Sequence, residues 1–293
     1  MRPAPTSSTT DTPPSLDRRS LRPDCTNCFA LCCTALGFSR SADFAVDKPA
    51  GTPCRNLASD FSCTIHGALR PRGFRGCTVF DCFGAGQQVS QGLFGGISWA
   101  ADPESRRDMF AAFNTARQLH EMLWHLVEAQ GRTFDPEARQ RAGRLRRTIE
   151  AAMGGGVRQF SGLEVEEVHS DVRAVLMEIS EEVRESYSAA GREHLDAALV
   201  PGADLIGRNL RSRRLCGADL RGAYLIAADL RFSDLSGVDL LGADLRDARL
   251  DGADLSQALY LTQSQLGAAG GSRATRLPAD LKVPAHWATA EGD

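Results

Sequence analysis

The chain of 293 residues has no run of eighteen apolar residues, so no segment reads as a membrane-spanning helix. Lysine is nearly missing. Lys48 and Lys282 stand alone among 34 basic residues, a bias that reads as codon usage rather than chemistry. A dominant charge is missing too: the net charge of −3 points neither to a nucleic-acid-binding surface nor to an acidic imitation of one. Residues 1–20, MRPAPTSSTTDTPPSLDRRS, hold no apolar run of the kind that opens an export leader, so a reducing, cytoplasmic setting is expected. No phosphate loop is present either. Gly84, Gly86, Gly92, Gly95 and Gly96 neither open a helix as Gly-x-Gly nor end in Gly-Lys-Ser/Thr, and they read as a connector. No Ser-His-Asp set or shared-motif carboxylate pair marks a hydrolase, and catalytic residues are unknown. What remains is ordinary soluble composition, 42% hydrophobic and 24% charged, sufficient for a core.

Cysteine, by contrast, is concentrated. Eight of the nine cysteines fall between Cys25 and Cys82: Cys25-Thr-Asn-Cys28-Phe-Ala-Leu-Cys32-Cys33, then Cys54, Cys63, Cys77 and Cys82. In a secreted domain these would form a disulfide framework, and in a reducing compartment they are metal ligands. Without a leader, metal binding is the expectation. A C-x2-C step lets two thiolates converge from one tight turn, and C-x3-C-C adds two more. His66, in Cys63-Thr-Ile-His66, offers an imidazole. Arg70, Arg72 and Arg75 either offset thiolate charge or form a solvated loop. With Pro53-Cys54-x2-Leu57, Leu69-Arg70 and Cys77-x4-Cys82 in the same order, residues 25–82 resemble the YkgJ-type zinc- or iron-chelating family. The resemblance implies that Cys25, Cys28, Cys32, Cys33, Cys54, Cys63, His66, Cys77 and Cys82 hold Zn2+ or an iron–sulfur cluster. Chelation is expected to unfold residues 21–99 and leave the solenoid intact.

Residues 102–200 carry helical periodicity. Asp102-Pro103 predicts a helix start, and Met109, Phe110, Phe113, Ala116, Leu119, Leu123 and Leu126 recur at helical spacing. Five-residue spacing puts His120 and His125 on different faces, against a shared metal. Further helices are predicted from Asp135-Pro136 to Met153 and over 164–189.

From Ala203 the period becomes five: ADLIG, RNLRS, RRLCG, ADLRG, AYLIA, ADLRF, SDLSG, VDLLG, ADLRD, ARLDG and ADLSQ, with a leucine at the centre of each from Leu205 to Leu255. Neither a helix nor a strand has that period. The run resembles the pentapeptide-repeat family. The resemblance implies a right-handed quadrilateral β-helix with the leucine and the residue two before it facing inward. Cys216 follows its leucine and is expected outside, away from any metal. Leu261 to His286-Trp287 is the expected cap.

The expected fold is therefore multidomain α+β. A disordered tail (1–20) precedes a small metal-bound cysteine-cluster domain (21–99). A helical connector (100–200), the β-helix (201–266) and a C-terminal cap (267–293) follow. Residues 203–266 hold nine acidic residues and eight arginines, too balanced for a topoisomerase-protecting DNA mimic. The expected function is a metal-binding protein whose repeats form a scaffold or docking surface. The alternative is an iron–sulfur enzyme modifying a protein or small molecule. A protein partner or self-association is expected, with no nucleic acid and no membrane. Residues twenty apart should stack, placing Ile206, Tyr224, Ile226, Leu241 and Leu261 in an apolar strip where a partner or another part of the chain docks.

Overall fold

The structure, a computed structural model, describes residues 17–188 and 197–287, so most of the expected N-terminal tail lies outside the described residues. Short helices punctuate the cysteine-rich part: α1 (Leu31–Thr34), α2 (Arg75–Thr78) and α3 (Ala85–Gln87), the last running into a π-helical turn at Gln88–Leu93. The long helices are α4 (Arg106–Arg132), α5 (Pro136–Gly154) and α7 (Val165–Ser188), with the short α6 (Gly156–Ser161) between the last two. α8 (Gln263–Ala268) follows the repeats.

The long helices pack pairwise on one another. Met109, Ala112, Phe113, Ala116, Leu119, Leu123 and Leu126 form the buried stripe of α4, as their spacing requires. α5 starts where Asp135-Pro136 predicts. The Asp135 carboxylate accepts the amides of Glu137 and Ala138, and proline occupies the first turn, where its missing N–H costs nothing. α4 starts later than Asp102-Pro103 suggests. Asp102 accepts the Glu104 amide at 3.2 Å in a separate turn, and the helix begins after Ser105.

The β-helix expectation is corrected. Among the described residues no β-strand and no sheet forms, and all regular structure is helical. Residues 203–262 instead form three tiers of turns, joined by isolated parallel bridges at twenty-residue offsets such as Asp204↔Tyr224, Asn209↔Asp229 and Arg214↔Asp234. The reason lies in the period. Each five-residue side gives two residues to a turn and brings only one, just before the leucine, into pairing. Bridge residues are thus never adjacent, and a strand needs consecutive ones.

This geometry accounts for the motif. Every leucine from Leu205 to Leu255 is buried. The aspartate or asparagine before it accepts the amide two residues on: Asp204 from Ile206 (3.2 Å), Asp234 from Ser236 (3.0 Å), Asp244 from Arg246 (3.1 Å). The second turn residue sits at positive φ, which favours glycine, yet Ser212, Ala227, Phe232 and Asp247 occupy such positions at 54–58°. Tyr260 replaces the leucine at the end of the third tier, fully buried, its hydroxyl donating to the Leu176 carbonyl on α7 at 3.0 Å.

Gly270 and Arg276 continue the bridges beneath the third tier. Trp287 closes that end, buried, with its indole N–H donating to the Ala269 carbonyl at 2.9 Å. Buried apolar side chains form one continuous cluster from Leu21 through the helices and repeats to Trp287.

A cysteine-rich candidate site against the end of the repeats

Asp24 opens the segment. Its carboxylate accepts the Thr26 amide at 3.1 Å and the Asn27 side-chain amide at 2.7 Å, closing a 3-10 turn over Cys25–Asn27. Phe29 and Ala30 both take positive φ, 48° and 52°, and this left-handed pair turns the chain into α1. Cys32 and Cys33 are thereby brought into electrostatic range of Cys28 and Cys25. The adjacent sulfurs of Cys32 and Cys33 lie 3.9 Å apart.

The antiparallel pairing of Phe38 with Lys48 returns the chain, and the Cys54 amide donates to the Cys33 carbonyl at 2.9 Å. Cys63 pairs with Leu57 across the next turn. Cys77 sits on α2, and the Cys82 carbonyl accepts the Ala85 amide at 2.9 Å. A methyl group at Gly86 would lie 2.8 Å from Cys28 Cβ, 3.6 Å from Cys28 Sγ and 3.8 Å from Cys82 Sγ. Both sulfurs thus crowd a single point that only glycine leaves open.

The thiols perturb one another. The Cys28 thiol hydrogen-bonds Cys25 and draws its pKa down to about 7, while Cys28 itself is pushed up. Cys32 does the same for Cys33, lowering it at its own expense. Burial, with Cys33, Cys54 and Cys63 adding to it, raises Cys77 to about 11. Burial also raises Cys63 and Cys82. By these mutual effects the thiols fall into two overlapping neighbourhoods, Cys25, Cys28, Cys32 and Cys82 in one and Cys33, Cys54, Cys63 and Cys77 in the other. Cys33, beside Cys32 and within range of Cys25, joins them.

Lys48 escaped the sequence reading. Its ammonium is buried and donates to the carbonyls of Thr34, Leu36 and Pro49. Burial lowers its pKa, against the pull of Cys54, Cys33 and Cys32. Its rarity in an arginine-rich chain, midway between two cysteine groups, was the available signal.

No cysteine among the described residues is in a disulfide. No three His, Cys, Asp or Glu side chains among them are arranged to hold a metal ion. The donor chemistry nevertheless fits a thiophilic metal: eight free thiols in one segment, two of them meeting over Gly86. His66 is exposed at the head of a 3-10 turn, and Cys216 lies apart in the first tier.

Of the arginines of this segment, Arg72 is exposed, whereas Arg70 and Arg75 serve neither expected role. Arg70 donates to the Gly267 carbonyl at 2.8 Å; Arg75 pairs with Asp247 at 2.8 Å and donates to the Ala268 carbonyl at 3.1 Å. They dock the cysteine segment onto the closed end of the repeats.

The proposed strip divides. Leu261 is buried and Leu241 packs against the core, on the side that α4 and α7 cover. Ile206 and Tyr224 remain 56% and 52% exposed, with Ile226 half-buried between tiers. Under the covered side Asp239 is fully buried, accepting the Ser180 hydroxyl and the Leu241 amide (2.8 Å). Burial lifts it to about 6. His120 and His125 are core residues, pulled by burial to about 4 and 3. No helix among the described residues is long and apolar enough to cross a membrane.

The comparisons agree with the repeats. Pentapeptide repeats, eight copies, match residues 202–231 and 223–259. An uncharacterized protein of Bacillus subtilis (strain 168), YybG, is 49% identical over 267 residues, covering 91% of this chain and 95% of the relative. That similarity extends far beyond the repeats.

Proposed function

The chain belongs to the same family as the uncharacterized protein YybG of Bacillus subtilis and carries pentapeptide repeats, and from that premise we propose a thiol-metal-binding protein whose repeats form a docking scaffold. The observation that carries the metal reading is the gathering of eight free thiols into two neighbourhoods, with Cys28 and Cys82 sharing the space over Gly86. The resemblance of residues 25–82 to the YkgJ-type family supports it.

Cys25, Cys28, Cys32 and Cys82 would hold one metal, and Cys33, Cys54, Cys63 and Cys77 a second. The metal, bound as thiolates, would supply cross-links to a segment whose own helices are single turns. Around it, the chain's residues set the charge. Lys48 lies beside the second group, while the first faces Asp24 and Asp81. Repeats of this kind mediate protein contacts, and the rigid tower, fixed to the helices along one side, suits such a role.

Anaerobic purification followed by metal analysis and an absorption spectrum tests the proposal. Two equivalents of metal are expected, colourless if zinc and brown if iron–sulfur. Cys82→Ser and Cys77→Ser should each lose one equivalent. A metal-free protein with eight freely titrating thiols overturns the reading.

A further inference from the structure

Lys48 is one of two lysines among 34 basic residues, and it is 6% exposed. Its backbone pairs with Phe38 in both directions, at 2.8 and 2.9 Å, which fixes the start of the side chain. The ammonium lies 5.7 Å from the centroid of the Phe38 ring. It donates to three backbone carbonyls: Thr34 and Pro49, each at 3.2 Å, and Leu36. Three donors on one compact charge are what lysine offers and a planar guanidinium does not. Thr34 directly follows Cys33, whose carbonyl accepts the Cys54 amide at 2.9 Å. The ammonium is thus anchored to the turn that carries both cysteines.

Carbonyls satisfy its hydrogen bonds but leave its charge unbalanced. Among the described residues no carboxylate pairs with Lys48, and the groups that act on it with opposite sign are Cys54, then Cys33, then Cys32. A buried cation is out of balance beside neutral thiols and in balance beside thiolates. Four thiolates outweigh one divalent metal, and an adjacent ammonium offsets the excess. The other group has the opposite setting. Asp24 and Asp81 act on Cys25, and Asp81 acts on Cys82. The Phe83 amide holds the Asp81 carboxylate in place, donating to it at 2.7 Å. A negative centre there meets further negative charge.

We propose that Lys48 is the internal counter-ion of the metal held by Cys33, Cys54, Cys63 and Cys77, making it the retained metal and leaving the one at Cys25, Cys28, Cys32 and Cys82 exchangeable. This rests on the thiol-metal reading and gives the two sites different work. The retained metal cross-links the segment, and the exchangeable one is surrendered to a competing thiolate or chelator.

The test uses the full chain, reduced, loaded anaerobically with Zn2+ and challenged with a chromophoric chelator. Two equivalents should leave in separate phases, the earlier one missing in Cys82→Ser and the later one missing in Cys77→Ser. Lys48→Gln keeps a hydrogen-bond donor without the charge. It should weaken the later equivalent about tenfold or more and leave the earlier one unchanged. Lys48→Arg keeps the charge and should hold the later equivalent within about threefold of the unaltered chain. Asp81→Asn keeps an acceptor for the Phe83 amide and should tighten the earlier equivalent, a result that does not depend on how the Lys48 variants fold. Equal weakening by Lys48→Gln and Lys48→Arg would show that Lys48 only straps three carbonyls together. That result, joint release of both equivalents, or no response to Lys48→Gln and Asp81→Asn overturns the inference and leaves the metal reading standing. A chain that takes up no zinc overturns both.

Discussion

At the scale of single residues, the telling positions are polar groups held out of water. Asp239 is the aspartate of an ordinary repeat, but α7 lies over it, and its carboxyl titrates near 6 instead of 3.8. Burial is the first cause; Ser180, the Leu241 amide and Arg221 at 3.6 Å oppose it, and Asp219 adds to it. Because the folded pKa is raised, the folded state keeps a proton that the unfolded chain releases near 3.8. This group's stabilising contribution is full below about 3.8 and is lost as pH rises through about 6. The difference is on the order of 2–3 kcal/mol. Asp239→Asn, which mimics the neutral form, should raise the melting temperature at pH 7.5 and leave it nearly unchanged at pH 4. Equal shifts at both pH values would show that the carboxyl is not the titrating group.

At the scale of the element, a pentapeptide side divides its work between a core residue and a turn clamp. Leu235 is fully buried between tiers, so Leu235→Ala leaves a cavity and should cost about 2–5 kcal/mol in urea unfolding. Asp234 accepts a hydrogen bond from the Ser236 amide, and Asp234→Ala should cost about 1 kcal/mol. A reversed order would mean that the turns, not the leucine column, hold the tower. The same division explains why the element is not a strand. The backbone turns two residues after each bridge, clamped by an aspartate or asparagine on most sides, before a second bridge can form.

At the scale of the molecule, distant segments meet on α4. Arg18 stacks on the Trp124 ring, its guanidinium carbon 4.1 Å from the centroid, and pairs with Glu128 at 2.7 Å, both groups being largely buried. Glu128 also accepts the Tyr260 amide at 3.1 Å, and Arg18 faces Asp280 at 3.6 Å. Four parts of the chain thus share one ion pair. Glu128→Gln strands a buried guanidinium and should cost about 3–5 kcal/mol, with part recovered in the double variant that adds Arg18→Met. No recovery would argue that Glu128 acts through Tyr260 alone. The docking of Arg70, Arg75 and Ser264 extends the expected effect of chelation to the cap that follows the repeats. Chelator should raise hydrogen exchange across 263–287 as well as 21–99, while the first tier stays protected. Exchange confined to residues 21–99 would show that the contact with the repeats transmits nothing.

The period of five, the leucine column, the three long helices and the clustering of the cysteines were legible in the sequence, because each depends on neighbours a few residues apart. The class of the repeat was not: a resemblance implied strands, and single bridges formed, since pairing depends on what each turn leaves extended. Nor could sequence show that Lys48 would be buried among carbonyls, that Asp239 alone in its column would lose its water, or that Arg70 and Arg75 would reach the last tier rather than the thiols. Those outcomes depend on which surfaces meet across more than a hundred residues. Local spacing carries no record of such meetings; the burial of one element by another decides them.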